Sequence, residues 1–225
     1  MRSSAVVSGA LAVLLLVLVA VGWHPLLSLD RTVADALHRS AVAEPGFTRL
    51  NRVLTDWVWD PWTMRALITV AVVALWWRRE RWLALWLVGA SLLAAAVQQG
   101  MKAVVGRRRP VWPDPVDSAQ YAAFPSGHAL TAALSCGLLL WVLALHWRET
   151  WRGWSVLAVA AVVSVLGVGW TRVYLGVHWP SDVVAGWLLG WCGAAVAIIT
   201  YRTYGRGADR RDASGGDRRK MGETH

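Results

Sequence analysis

The chain has 225 residues, of which 56% are hydrophobic, and it carries a formal net charge of +9. A mean hydropathy of +0.41 excludes an ordinary soluble domain and indicates an integral membrane protein. The positive charge lies mainly in short connections and near the C-terminus, which suits anionic headgroups or a phosphate substrate better than a nucleic-acid groove. The two cysteines lie inside apolar segments and form neither a disulfide framework nor a metal site.

Six apolar segments are long enough to cross a membrane as helices. They cover about residues 5–23, 62–77, 82–105, 129–147, 153–170 and 182–201, and most of the 17 tryptophans flank them as an interfacial belt. A signal peptide is the alternative for the first segment, but its length favours a spanning helix. The predicted fold is an all-α bundle of six transmembrane helices in one domain, residues 1–204.

The charged connections predict the orientation of this bundle. If the six segments alternate, basic residues at 78–81, at 148–152 and in the tail fall on the same side as Arg2. Because basic residues accumulate on the cytoplasmic side, both termini are expected to be cytoplasmic. Residues 205–225 show no apolar periodicity and are expected to form a disordered basic tail that touches anionic membrane lipids.

The connection at residues 24–61 is long and amphipathic. Apolar residues recur at helical spacing in two runs: Leu29, Val33 and Leu37, then Phe47, Leu50, Leu54 and Trp57. Two amphipathic helices on the extracytoplasmic surface are therefore expected. Packing against the bundle is favoured over an active-site lid, because amphipathy specifies burial and no partner.

The first cluster of candidate site residues closes the third segment, where Lys102 precedes Gly106 and Arg109 precedes Pro110. Gly106 can end the helix, and Pro110 favours an extended conformation for Arg109. Two cations are thus presented from different backbone geometries. Interfacial anchoring of a helix end explains this cluster at least as well when it is considered alone.

The second cluster, Pro125-Ser126-Gly127-His128, opens the fourth segment. A serine at a helix start can cap the helix, and Gly127 allows close backbone approach, so that the first N–H groups can face an anion. An ordinary helix start with a satisfied histidine is the alternative.

The third cluster lies between the fifth and sixth segments and supplies Arg172, His178 and Asp182. Pro180 fits the first helical turn, which places Asp182 near the third helical position, from where its carboxylate can reach back toward His178. A carboxylate that holds one imidazole nitrogen leaves the other free to attack. This cluster is therefore predicted to be the nucleophile end of a phosphoryl-transfer site, although alone Asp182 is simply a good first-turn acid.

Topology relates the three clusters to one another. With six alternating segments, the third segment ends, the fourth begins and the fifth joins the sixth on the same extracytoplasmic face. This coincidence of side and spacing favours one shared site over three unrelated helix ends.

Together the three clusters resemble the signature motifs of the phosphatidic acid phosphatase type 2 superfamily, which also includes soluble vanadium haloperoxidases. The resemblance covers essentially the whole membrane core, and Thr171 stands where the family usually has serine. It implies that His178 attacks phosphorus to form a phosphohistidine, that Asp182 orients His178, and that His128 protonates the leaving oxygen. The residues implied to hold the phosphoryl oxygens are Lys102, Arg109, Ser126, Gly127 and Arg172.

The expected function is hydrolysis of a lipid headgroup at the outer face of the cell membrane. Candidate substrates are undecaprenyl diphosphate, phosphatidic acid and phosphatidylglycerophosphate. No acidic pair suited to a metal is evident near the clusters, so turnover without a metal or another cofactor is expected.

Two alternatives stay open: a lipid phosphotransferase that uses the same phosphohistidine, and a non-catalytic protein that binds or transports lipid phosphates. A haloperoxidase is disfavoured by the six segments. The Gly186–Gly190 pattern could mark a dimer face, but packing within the bundle is favoured, and the oligomeric state is left open.

Overall fold

The computed structural model describes residues 1–146 and 150–205, and in these ranges all regular secondary structure is helical. The helices are α1 (Arg2–Ala20), α2 (His24–Ala43), α3 (Pro45–Val53), a π-helical turn (Leu54–Val58), α4 (Pro61–Trp77), α5 (Arg81–Val105), α6 (Gly127–His146), α7 (Trp151–Tyr174), α8 (Pro180–Thr200) and a second π-helical turn (Tyr201–Gly205). The predicted tail at 205–225 lies outside the described residues except for Gly205, so the division into core and tail stays a prediction.

Within the described ranges, six helical stretches are long and apolar enough to cross a membrane. Four of them are α1, α5, α6 and α7; a fifth is α8 with its π-helical extension to Gly205, and the sixth, Pro45–Trp77, joins α3 and α4 through the first π-helical turn. The predicted all-α bundle is confirmed, and the chain is a multi-pass membrane protein. The seventh helix continues past the predicted end of its segment to Tyr174, so Arg172 lies in its last turn.

The apolar core fills one end of the bundle and leaves the other end polar. Its largest cluster is formed where α4, α5, α6 and α8 meet, around Leu75, Leu87, Leu138, Trp141 and Ile198. These residues come from the C-terminal halves of α4, α6 and α8 and from the N-terminal half of α5. The end of α5, the start of α6, the end of α7 and the start of α8 therefore meet at the opposite end of the bundle, where the three sequence clusters lie.

Glycines allow α6 and α8 to pack closely beside that polar end. A Cβ atom placed on Gly186 would lie 2.6 Å from the backbone oxygen of Ser126, and one on Gly190 would lie 2.4 Å from that of Leu130. A side chain does not fit at either position without a shift of backbone. The Gly186–Gly190 pattern therefore packs inside the bundle.

The two amphipathic helices expected at residues 24–61 are α2 and α3. They pack against the bundle, with α2 contacting both α7 and α8. The predicted apolar face was wrong in part: Leu29, Phe47, Leu50 and Trp57 are exposed, whereas the buried positions include the polar residues Asp30, His38 and Asn51. This segment thus brings hydrogen-bonding groups to the polar end of the bundle.

Replacing Gly186 by alanine should destabilise the protein by about 1–3 kcal/mol, since the new methyl group meets the backbone of Ser126. The matched control is Gly89→Ala on α5, where a Cβ atom would have no neighbour within 4 Å and the better helix propensity of alanine should preserve or raise stability. Melting temperatures of the two variants in detergent test the expectation. Equal melting temperatures would show that α6 and α8 are not in tight contact at Gly186.

Candidate active site

The predicted site residues surround one cavity of about 280 Å³ at the polar end of the bundle. Its walls come from α4, α5, the connection between α5 and α6, the start of α6, the end of α7 and the turn before α8. Six of the eight predicted residues line it: Lys102, Arg109, Gly127, His128, Arg172 and His178. The other two, Ser126 and Asp182, are fully buried next to this lining.

The turn between α7 and α8 fixes the predicted nucleophile, His178. Helix α8 begins with Pro180 in its first turn and places Asp182 at its third position, as predicted. The Asp182 carboxylate accepts a hydrogen bond from the Trp179 N–H at 2.9 Å, and its Oδ2 lies 3.4 Å from His178 Nδ1. One carboxylate therefore stabilises the helix start and orients the imidazole ring.

The second nitrogen of His178 faces the cavity and a positive charge. His178 Nε2 lies 3.1 Å from Arg109 Nη1. Because a guanidinium group can only donate, Nε2 accepts this bond and the ring proton is assigned to Nδ1, beside Asp182. Burial first, and then the nearby charge of Arg109, hold the pKa of His178 well below its usual range. The ring is thus neutral at neutral pH, and the lone pair of Nε2 is directed at Arg109, which lines the cavity.

Three basic side chains converge on the cavity, and in the described ranges none of them pairs with a carboxylate. Lys102 Nζ donates to the Ala122 carbonyl at 2.7 Å, and Arg109 donates to the carbonyls of Val177 and of the connection before α6. Arg172 is 5% exposed and its Nη1 donates to Thr55 at 3.2 Å. Burial lowers the pKa of Arg109 to about 10, which still leaves it charged at neutral pH. Partly buried charges without counter-charges favour binding of an anion.

The start of α6 differs from expectation at Ser126. Its hydroxyl was expected to cap the helix, but Ser126 Oγ is buried without a hydrogen-bond partner, while its backbone N–H donates to the Asp182 carbonyl at 3.0 Å. The unused hydroxyl group is therefore available beside the cavity. At the adjacent Gly127 a Cβ atom would lie 2.7 Å from Nε2 of Gln98, so a side chain there would displace the Gln98 amide.

Behind His178 lies an ion-pair network that sequence reasoning missed. Arg107 Nη1 lies 2.5 Å from Asp182 Oδ1, and Arg107 Nη2 lies 2.7 Å from Asp30 Oδ2. Asp30 also accepts hydrogen bonds from the N–H and hydroxyl groups of Ser181, at 2.9 and 2.5 Å. The carboxylate that orients His178 is thus itself held by an arginine, which a second carboxylate from α2 holds in turn.

A family model described as the PAP2 superfamily matches residues 83–206, which is more than half of the chain. The chain belongs to the PAP2 superfamily. The matched region contains all three sequence clusters and the whole lining contributed by α5, α6 and α7.

Curated relatives of this PAP2 protein act on phosphorylated lipids, according to their names. An undecaprenyl-diphosphatase from Sulfolobus acidocaldarius is 32% identical over 150 residues, 63% of this chain and 62% of the relative. A decaprenylphosphoryl-5-phosphoribose phosphatase from Mycobacterium tuberculosis is 34% identical over 164 residues, 70% of this chain and 82% of the relative. Phosphatidylglycerophosphatase B from Bacillus subtilis is 31% identical over 127 residues, 55% of this chain and 61% of the relative. The first and third matches therefore span less than two thirds of those relatives.

A solved structure shares the fold of this PAP2 protein. It is the crystal structure of a transmembrane PAP2 type phosphatidylglycerolphosphate phosphatase from Bacillus subtilis, with a TM-score of 0.76 at 22% sequence identity. The similarity covers 87% of this chain and 96% of that chain. It extends beyond the region matched by the PAP2 family model.

Two groups that support the PAP2 clusters lie outside the matched region. Asp30 is on α2 and Thr55 is in the first π-helical turn. The available sequence signal for Asp30 is its position one turn after Leu26 and three residues before Val33, which puts a charge on the apolar face of an amphipathic helix. No such sequence signal identifies Thr55.

Thr171, at the family's serine position, donates to the Val168 carbonyl at 2.8 Å, so its hydroxyl group bonds within α7.

The network also bears on metal binding. Asp30 and Asp182 do approach each other, although no acidic pair was expected here, but the Arg107 guanidinium lies between their carboxylates. Among the described residues there is no group of three or more His, Cys, Asp or Glu side chains that could hold a metal ion. Metal-independent turnover stays a prediction.

The lowered pKa of His178 predicts that its ring remains neutral at pH 6.5, about the usual histidine pKa, and becomes protonated only in more acidic solution. Arg109→Gln removes a neighbouring positive charge and should raise the pKa of His178. Nitrogen NMR of histidine-labelled protein, with His178→Gln to assign the signal, measures both effects. An imidazolium signal from His178 at pH 6.5 would contradict the neutral state assigned to its ring.

Asp30→Asn should destabilise the protein by about 3 kcal/mol, because Arg107 loses one of its two buried carboxylate partners. Asp35→Asn is the matched control, since Asp35 is exposed on the same helix and its replacement should change stability by less than about 0.5 kcal/mol. Thermal denaturation of both variants in detergent provides the comparison. If the two variants have the same melting temperature, the ion-pair network does not contribute to the stability of the fold.

Proposed function

We propose that this PAP2 protein is a membrane lipid phosphatase that hydrolyses a phosphate or diphosphate headgroup through a phosphohistidine on His178. One observation carries the proposal: three cations, which have no carboxylate partner among the described residues, line the same cavity as a neutral, oriented histidine. The cations suit the oxygens of a phosphoryl group, and the oriented nitrogen suits attack on its phosphorus.

In the proposed first step, His178 Nε2 forms a bond to phosphorus while the bond from phosphorus to the leaving oxygen breaks. His128 gives its proton to that oxygen, and the electron pair of the broken bond leaves with it. Asp182 stabilises the proton on Nδ1 of His178. Since Arg109 Nη1 lies 3.1 Å from Nε2, we expect it to move its hydrogen bond to a phosphoryl oxygen when substrate binds.

The remaining groups stabilise the transferring phosphoryl group. Lys102, Arg109 and Arg172 neutralise its oxygens, and the Ser126 hydroxyl and the Gly127 N–H donate to them. In the second step, the oxygen of a water molecule bonds to phosphorus while His128 accepts a proton from that water. The bond between phosphorus and His178 Nε2 breaks, its electron pair returns to Nε2, and phosphate is released. Positioning and electrostatic stabilisation are thus assigned to fixed side chains.

A groove beside the cavity supports a lipid substrate. It has a volume of about 430 Å³, lies between α4 and α5, and is lined mainly by apolar side chains such as Ile68, Val72, Val88 and Leu92. Arg65 and Thr131 line both the groove and the cavity. A lipid with its headgroup in the cavity can therefore extend its tail along the groove towards the bilayer.

The proposed orientation follows from the distribution of basic residues. The basic residues at 78–81 and Arg152 lie where α4 ends and where α5 and α7 begin, at the end of the bundle opposite to the cavity. This distribution favours cytoplasmic termini and an extracytoplasmic site in the cell membrane. The relatives' names support undecaprenyl diphosphate and phosphatidylglycerophosphate as substrates, and phosphatidic acid presents the same phosphate chemistry.

Purified protein should release phosphate from at least one of these three lipids in the presence of a chelator. His178→Ala should lower the rate by about 10³-fold or more, because the attacking atom is lost. The exposed His24 supplies the control variant, His24→Ala, which should retain full activity.

Other results of this assay distinguish the alternatives. Activity that survives in His178→Ala would overturn the assigned nucleophile. Transfer of phosphate to an added alcohol in place of water would identify a phosphotransferase. Tight binding of all three lipids without turnover by the wild type would identify a binding protein.

A further inference from the structure

Arg65 is a fourth basic side chain at the catalytic cavity, and it belongs to none of the three clusters. It lies on α4, outside the region matched by the family model. It lines the cavity together with Lys102, Arg172 and His178, and it also lines the apolar groove between α4 and α5. Arg65 therefore lies at the boundary between the proposed headgroup site and the proposed tail site.

The charge of Arg65 has no carboxylate partner among the described residues. Its side chain is exposed, and its guanidinium carbon lies 5.1 Å from the centre of the Trp62 ring. Stacking on a tryptophan holds the guanidinium in place and leaves its N–H groups free to donate. Interfacial anchoring explains an arginine near the start of a spanning helix, but it does not explain why this one borders the cavity.

Other polar groups lie at the same boundary. Gln99 on α5 is an exposed lining residue of the cavity, and Thr131 on α6 lines both the cavity and the groove. An amide and a hydroxyl group beside an arginine form a set of hydrogen-bond donors suited to phosphate oxygens. These donors are separate from those around His178.

The order of these sites along the substrate path corresponds to the order of groups in a lipid diphosphate. With the terminal phosphoryl group against His178 and the tail in the groove, as proposed above, the inner phosphate lies between the cavity and the groove. A lipid monophosphate places only its ester oxygen at this boundary. An unpaired arginine at the boundary thus complements the inner phosphate of a diphosphate.

We infer that Arg65 binds the inner phosphate of a lipid diphosphate and makes the protein select diphosphates over monophosphates. This inference rests on the proposed function. When His178 Nε2 bonds to the terminal phosphorus, the bond from that phosphorus to the bridging oxygen breaks and the electron pair leaves with the lipid monophosphate. Arg65 neutralises the charge that develops on this leaving phosphate, so it contributes to the rate as well as to binding.

The test compares kcat/KM for a prenyl diphosphate and the prenyl monophosphate of the same chain length, in the same detergent. Arg65→Gln should lower the value for the diphosphate by about 10- to 100-fold, the effect of losing a charge-assisted hydrogen bond, and the value for the monophosphate by less than about threefold. Arg65→Lys, which keeps the charge, should fall between the wild type and Arg65→Gln for the diphosphate. The control is Arg39→Gln, which removes an exposed arginine from α2 and should change neither value.

Equal losses for the two substrates, or no loss for the diphosphate, would overturn the inference while leaving the proposed function intact. If the wild type hydrolyses neither lipid, the proposed function fails, and the inference is then tested by binding alone. Arg65→Gln should weaken binding of inorganic diphosphate by about tenfold more than binding of inorganic phosphate. An unchanged ratio of the two affinities would reject the selectivity assigned to Arg65.

Discussion

The site depends on one partly buried arginine, Arg107, which two carboxylates share. Asp182 uses all three of its oxygens: Oδ1 pairs with Arg107, Oδ2 accepts from Trp179 and faces His178, and the backbone carbonyl accepts from Ser126. The starts of α6 and α8 are thereby joined to the segment after α5, and Asp30 adds α2. Because buried ion pairs contribute less to net stability than to geometry, we interpret this network chiefly as a device that sets the position of His178.

The arginine run 107–109 shows how adjacent residues of one type take different roles. Beyond Gly106, whose φ of +56° ends α5, the chain is not helical, and neighbouring side chains can point in different directions. Arg107 is neutralised by two carboxylates, whereas Arg109 meets carbonyl groups and His178. Arg108 is exposed. Arg109 can therefore pair with an anionic substrate, whereas the charge of Arg107 is compensated within the protein.

Local rules predicted a large part of this arrangement. Apolar length gave the six spans, Gly106 ends α5, and Pro180 places Asp182 one helical turn from His178. Alternation of the spans then correctly predicted that the three clusters meet at one end. The partners Asp30 and Thr55 were missed, because apolar periodicity does not mark polar residues that are buried through hydrogen bonds and ion pairs. Ser126 was interpreted as a cap, since its residue type suits a helix start, whereas burial leaves its hydroxyl group unpaired.

The position of Asp30 outside the family-matched region has a consequence for building chimeras of PAP2 proteins. Residues 83–206 include the three clusters but not the carboxylate that fixes Arg107 from α2. An exchange of N-terminal segments between relatives would place Arg107 against the α2 helix of another protein. Such a hybrid would keep every signature residue and still separate two halves of one ion-pair network. A chimera that preserves this site must therefore keep α2 together with the three clusters, although α2 contributes no residue to the cavity.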